Sequence, residues 1–317
     1  MQSFKISIFS LIFVLVILIS AIHYRVDVKN SIILDIVSGS STSSIATSLY
    51  ENKIILNPTI FKIYVRLSSN DHKFKAGEYK FKSTQSIHSI VDKLTKGDFF
   101  YRKLTLLPGS TISNILELGN SEGLINDLVT DPEKLLKKKG ITLQEGIFFP
   151  DTFFYLKGEN FSSILIKSYE KWKKISKDLW INRNLNLPFK NLNEAVTLAS
   201  IIEKEGLEKR KIAGVFVNRL NKNMKLQSDP TVIYALGNEF DGNLTRKNLR
   251  IDNPYNTYRY RGLPPGPISI VSYDSLEAAL NPLLTDYLYF VSMGNGFHKF
   301  SKTLTEHNEA VLKYQIN

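Results

Sequence analysis

The apolar positions of the chain change rhythm several times, and each change predicts an element. From Ile6 to Ile22 they run almost unbroken, interrupted by Ser7, Ser10 and Ser20 and bracketed by Lys5 and Arg25. A run of this length sits at the short end of the roughly 17–25 residues that cross a bilayer. It exceeds the roughly 7–15 apolar residues of a cleaved signal peptide, and no small-residue cleavage site follows. The expected reading is a tail at 1–5 and a transmembrane anchor at 6–24, with a cleaved leader as the alternative. Lys5 and the terminal amine balance Arg25 and Lys29, so the positive-inside rule does not orient the segment. A short tail is the usual arrangement for a single anchor, and it places the remainder outside the cytoplasm.

Beyond the anchor the pattern shortens. Ile32 to Val37 reads as a strand, and Gly39 with its following serines reads as a turn into a helix bearing Ile45, Ala46 and Leu49 on one face. Asn57-Pro58 opens a second helix in which Ile60, Ile63, Tyr64 and Leu67 recur at helical spacing. Lys75 to Phe81 returns as an alternating strand. This β-α-α-β order resembles a LysM-like module, expected over 31–107. A purely supporting module fits the same residues. A short helix from Ser86 to Leu94 and a strand at Lys103–Leu107 leave room for a partial second copy.

From Thr111 to Leu187 the pattern is mainly helical, with Ile164, Leu165, Tyr169 and Trp172 on one amphipathic stretch. Within it, Glu145 to Tyr155 gathers four phenylalanines and a tyrosine around Pro150-Asp151, a pattern of core packing ahead of ring stacking. After the break at Asn186-Leu187-Pro188, Asn193 is the expected cap of a helix running to about Leu207. At ~100° per residue Glu205 lies over Ile201, Ile202 and Leu198, whereas Glu203 lies over Ala199 and Val196. The two carboxylates point roughly 200° apart and cannot enter one cleft. Glu205 has the more apolar setting, where lost hydration would keep a carboxyl protonated for general-acid work. On periodicity alone, both could equally be surface charges beside Lys204, Lys209 and Arg210.

Three later segments add polar chemistry. Leu226 to Tyr234 contains Ser228-Asp229-Pro230, a helix start in which Asp229 is either a cap or a site residue. Asn253 to Tyr258 and Gly262 to Ile268 read as rigid loops whose hydroxyls, amides and rings suit sugar recognition.

Composition narrows the classes. A formal charge of +11 and a pI near 9.4 suit an anionic partner or surface. The basic runs at Lys137–Lys139 and Lys171–Lys177 read as solvated helix faces, and no nucleic-acid recognition motif is present. With no cysteine, thiolate metal sites, disulfides and cysteine nucleophiles are excluded. His23, His72, His88, His298 and His307 lack metal-ligand spacing, so no metal and no cofactor are expected.

In order, Leu198-Ala199-Ser200-Ile201-Ile202-Glu203-Lys204-Glu205, Val217-Asn218-Arg219-Leu220, Leu226 to Thr231, Asn256-Thr257-Tyr258 and Gly262 to Gly266 resemble the YceG-like endolytic murein transglycosylases. Glu145-Gly146 through Pro150-Asp151-Thr152 matches upstream, so the similarity spans about Glu145 to His307. The resemblance implies an α+β, membrane-anchored chain whose mixed α/β catalytic domain covers 108–317. It implies lytic cleavage of the MurNAc-GlcNAc bond of nascent glycan strands by one glutamate, leaving 1,6-anhydroMurNAc ends. Similarity to the Ile-x-x-x-Glu-Ser stretch of other lytic transglycosylases points to Glu205, although Gly206 stands where a hydroxyl residue often follows. Glu145, Ser228, Asp229, Tyr255, Asn256 and Thr257 are the candidate sugar-binding residues. Expected partners are peptidoglycan strands, the bacterial inner membrane and cell-wall synthases, not nucleic acid. Two alternatives remain at this point: a muramidase in which Asp229 or Glu145 activates water, and a non-catalytic glycan-binding scaffold.

Overall fold

The computed structural model describes the backbone of residues 2–70 and 73–316; the side chains of residues 2–8, Lys29, Ser83 and Ile316 lie outside that description, as does His72. The chain divides into two compact units, Met1–Lys103 with Phe154–Glu159, and Leu104–Phe153 with Asn160–Asn317.

The first unit begins with helix α1, Gln2–His23. Among the described residues no helix is long and apolar enough to cross a membrane, and the anchor expected at 6–24 reaches into residues whose side chains are not described. Strand β1 (Val26–Ile36), helices α2 (Thr42–Glu51) and α3 (Pro58–Leu67), strand β2 (Gly77–Gln85) and helix α4 (Ile87–Lys96) follow. The β-α-α-β order is therefore present, with β1 and β2 antiparallel: Ile32 faces Phe81, Leu34 faces Tyr79 and Ile36 faces Gly77. β1 starts six residues before the expected Ile32, because the register shifts between Val28 and Ile32 and hides the alternation.

The helix ends obey local rules. Asn57 caps α3 by accepting from the N–H groups of Thr59 and Ile60, and Pro58 occupies a position that needs no donor. Helix α4 buries Ile87, Ile90, Val91 and Leu94 in the same core as Leu34, Ile45, Leu49, Phe61, Val65 and Phe81. It completes the first module, so no second copy forms there. Glu78 is buried and accepts two bonds of 2.9 Å from Arg102, a forked pairing that offsets the cost of hiding its charge.

The connecting strands are β3 (Arg102–Thr105) and, after helices α5 (Ile112–Glu117) and α6 (Pro132–Lys138), β4 (Thr152–Tyr155); the two form a sheet of their own. The second unit continues through α7 (Phe161–Ile181), α8 (Leu192–Glu205), α9 (Lys209–Asn221), α10 (Asp229–Leu236), α11 (Tyr273–Leu280), the hairpin β5 (Tyr289–Ser292) and β6 (His298–Ser301), and α12 (Leu304–Val311). Helix α8 is its axis. Every residue from Ala195 to Ile202 is buried, as expected of a helix covered on all sides, and α9 and α11 pack directly against it. Its cap is Asn191, which accepts from the Glu194 N–H, and not Asn193, whose carbonyl already receives the Thr197 hydroxyl inside the helix. In the aromatic segment Phe148 is fully buried, in keeping with core packing, while Phe154 stands exposed under the Lys103 ammonium.

Phe61 has no exposed surface in the first unit. Phe61→Ala should therefore cost about 3–5 kcal/mol, read as a lower urea midpoint for the loss of packing in the core that α3 shares with α2 and α4.

Candidate active site

Helix α8 ends at Glu205, and that ending decides what its two glutamates do. Glu203, one turn-fraction earlier, points toward α11. Its carboxylate accepts from the Ser272 N–H at 2.8 Å, the Ser272 hydroxyl at 2.6 Å and the Lys209 ammonium at 2.9 Å. Burial raises its pKa, but these donors outweigh that and hold the carboxyl below its ordinary range. Glu203 is thus a fixed anion that ties α8, α9 and α11 together.

Glu205 has the opposite surroundings. Protein crowds it closely while part of its surface stays open, and desolvation pushes its pKa up to about 7 from an ordinary value of 4.5. The Ser228 hydroxyl donates to its Oε1, the Asp229 charge raises the pKa further, and Arg219 pulls it down. The carboxyl therefore carries a proton for a large part of the time at neutral pH, as a general acid must.

Ser228 precedes α10 at the cap position, yet its side chain caps nothing because it serves Glu205. It is held from behind: its N–H donates to Thr257 Oγ1 at 3.0 Å, its carbonyl accepts from Thr231 Oγ1 at 2.7 Å, and the two threonine hydroxyls pair at 2.8 Å. This supplies the hydroxyl that Gly206 lacks. A Cβ at Gly206 would lie 2.7 Å from His298 Cε1, so that position has no room for a side chain unless His298 moves.

The other candidates separate. Asp229 is not the cap; its carboxylate accepts from the Tyr258 hydroxyl at 2.5 Å. Asn256 and Thr257 are buried and do not present groups to a ligand. Asn256 Nδ2 donates to the carbonyls of Leu249 and Ile251 and its Oδ1 accepts from the Tyr258 N–H, so it shapes the loop, while Thr257 braces Ser228. Where sugar contacts were expected of them, the structure shows both side chains buried and bonded within the protein.

Glu145 and Tyr255 gather at a second place. Glu145 accepts the Ile112 N–H at the start of α5 with both oxygens, at 3.2 and 3.1 Å, and burial raises its pKa to about 7 against the lowering effect of that bond and of the Tyr234 hydroxyl. The rings of Tyr234 and Tyr255 lie 4.9 Å apart. Glu145 and Tyr234 line a cleft of about 480 Å³, together with Asn114, Lys204, Pro230 and Asn238. The cleft takes walls from the last turn of α8 and the first turns of α10, the same two elements that bring Glu205 and Ser228 together.

Three residues of these motifs and segments were not among the candidate site residues: Tyr234, Tyr258 and Arg219. Arg219 had a signal, since it falls seven residues after Ile212 on the stripe that includes Val215 and Phe216, where an apolar residue would be expected. Among the described residues no cluster of potential metal ligands occurs.

Helices α8 and α10 of this α+β protein thus carry both a desolvated carboxyl, Glu205 under the Ser228 hydroxyl, and walls of a polar and aromatic cleft. The sequence profile of the YceG-like family matches residues 34–313, and the chain belongs to that family. It is 35% identical to an endolytic murein transglycosylase of Bacillus subtilis (strain 168) over 312 residues, 91% of this chain and 86% of that one. It is 28% identical over 311 residues to an endolytic murein transglycosylase of Streptococcus pneumoniae (strain ATCC BAA-255 / R6), covering 83% of this chain and 54% of the relative. The crystal structure of a putative YceG-like protein from Listeria monocytogenes superposes with a TM-score of 0.53 at 35% identity, over 89% of this chain and 99% of that one.

The raised pKa of Glu205 is also a statement about stability. Between its ordinary 4.5 and about 7 the folded protein binds more protons than the unfolded chain, so this group's contribution falls as pH rises through that window. Glu205→Gln should leave the thermal midpoint unchanged near pH 4 and stabilise the protein by about 1–3 kcal/mol at pH 8. Thermal unfolding followed by circular dichroism at the two pH values checks this.

Proposed function

We propose that the chain is an endolytic lytic transglycosylase of peptidoglycan in which Glu205 is the single acid and base. The observation that carries the reading is the desolvated Glu205 carboxyl under the Ser228 hydroxyl. Its proton passes to the oxygen of the MurNAc-GlcNAc bond as the C1–O bond breaks, leaving positive charge on the MurNAc ring. The C6 hydroxyl of the same ring then bonds to C1 and returns its proton to Glu205, closing the 1,6-anhydro bridge with no water consumed. A second carboxylate is not needed for this route. Asp229 is engaged by Tyr258 and Glu145 by the Ile112 N–H, which favours the lytic over the hydrolytic reaction.

The strand would run through the cleft of Glu145 and Tyr234, with Tyr255 at its side, where rings offer faces to sugars and Asn114, Asn238 and Lys204 offer directed polar groups. The order and pairing of β1, α2, α3 and β2 support a LysM-like role for the first unit in holding the same polymer.

We also propose that α1 anchors the chain in the bacterial inner membrane with the remainder on the extracytoplasmic side. Support comes from its uncovered apolar side chains, among them Phe9 at 76% exposed, Leu11 at 71% and Phe13 at 66%.

Two outcomes are expected. Digests of uncrosslinked glycan strands should end in 1,6-anhydroMurNAc by mass spectrometry, with the rate falling as pH rises through about 7 and Glu205→Gln inactive though folded; reducing ends in place of anhydro ends would sink the lytic reading. The full chain should stay with membranes through alkaline carbonate extraction, and a chain lacking residues 1–23 should be released.

A further inference from the structure

Arg219 is a buried guanidinium, 7% exposed, that pairs with no carboxylate among the described residues. Its bonds go to neutral acceptors: Nε to the Leu288 carbonyl at 2.6 Å, and Nη1 to the carbonyls of Leu226 at 2.7 Å and Lys225 at 3.3 Å and to Gln227 Oε1 at 3.4 Å. The Tyr289 ring lies 5.2 Å from its central carbon. A buried cation is ordinarily matched by an anion, because carbonyl dipoles alone offset only part of its lost hydration.

The segment it grips leads straight into the site. Gln227 adopts a left-handed conformation, φ +52°, which costs a non-glycine residue energy and persists only when its surroundings impose it. Arg219 imposes it from one side and the bond from the Gln227 N–H to the Thr257 carbonyl, 3.2 Å, from the other. The next residue is Ser228, on Glu205.

The charged and titratable groups around this pair can be enumerated. Glu205 faces Asp229, Tyr258 and Arg219; Arg219 faces Tyr289, Tyr258, His307 and Glu205. Burial and Arg219 itself push the His307 pKa down, and burial and Asp229 push the Tyr258 hydroxyl up. His298 and Glu208, paired with each other behind Gly206, complete the neighbourhood. Glu205 is therefore the carboxyl among these whose charge acts on Arg219, and desolvation suppresses part of that charge in the resting site.

We propose that Arg219 is a positioning residue of the reaction: it fixes the Gln227-Ser228 turn and supplies a counter-charge that Glu205 meets only after giving its proton to the glycosidic oxygen. The inference rests on Glu205 as the acid. An interaction that strengthens as the proton leaves lowers the barrier, whereas one equally strong before and after does not.

The test uses the full chain in detergent micelles, with the Glu205 carboxyl followed by ¹³C NMR and assigned by its loss in Glu205→Gln, alongside kinetics on uncrosslinked glycan strands. In Arg219→Gln, Glu205 should become about tenfold less acidic. Its kcat should fall about 10²-fold with KM within about threefold, because Arg219 reaches no substrate. Arg219→Lys keeps the charge without the fork, and should keep Glu205 within about twofold of wild-type acidity while recovering at least tenfold of the lost rate. A folded Arg219→Gln protein whose Glu205 titrates as in the wild type overturns the inference. Should that variant not fold, Arg219→Lys decides: an unchanged Glu205 titration with kcat as low as in Glu205→Gln overturns it. Absence of anhydro ends from wild type would instead strike the functional reading, and the titration arm would still report whether the two groups are coupled.

Discussion

The loss of hydration at one carboxyl, at the end of α8, is the constraint on which the site is built. A helix C-terminus carries partial negative charge, so a carboxylate there is disfavoured before any neighbour is considered. Burial against the core helix adds to this, and Asp229 adds again. A single neutral donor, the Ser228 hydroxyl, opposes them and fixes the direction of the group without neutralising a charge. Thr257 and Thr231 then hold Ser228, and Asn256 holds the loop that carries Thr257.

Glu203 shows what this constraint is worth by contrast. It shares the helix and lies two residues away, and it too is buried, yet a lysine and the Ser272 donors keep it ionised. Two carboxyls on one turn thus have pKa values displaced in opposite directions, because one meets charged and backbone donors and the other meets a hydroxyl. Neither state follows from the residue type. Each follows from which element the side chain reaches.

That distinction also separates what could be read in the sequence from what could not. The β-α-α-β order was legible because Asn57-Pro58 and the stripes of α2 and α3 are local signals, and helical geometry was enough to send Glu203 and Glu205 to different surroundings, while the preference for Glu205 also needed the family resemblance. The start of β1 was not legible, since the register shift between Val28 and Ile32 breaks the alternation. Nor was the cap of α8, where Asn191 and Asn193 are chemically alike and tertiary packing selects the first. Asn256 and Thr257 looked like ligand groups because their types bind sugars, but burial spends their polar atoms inside the protein. The hydroxyl for Glu205 comes from 23 residues along the chain, and no local motif announces a partner at that distance.

The crowding around Glu205 bears on how such a site can work on a polymer. If the carboxyl that releases a proton also recovers it from the same sugar, the protein ends each turnover as it began and exchanges nothing with bulk solvent. On the proposed reaction, a glycan strand bound over Glu205 would seal it from water throughout, and the seal would protect the reactive ring instead of starving the reaction. Occlusion by the polymer would then be a working condition of the site rather than an obstacle to it.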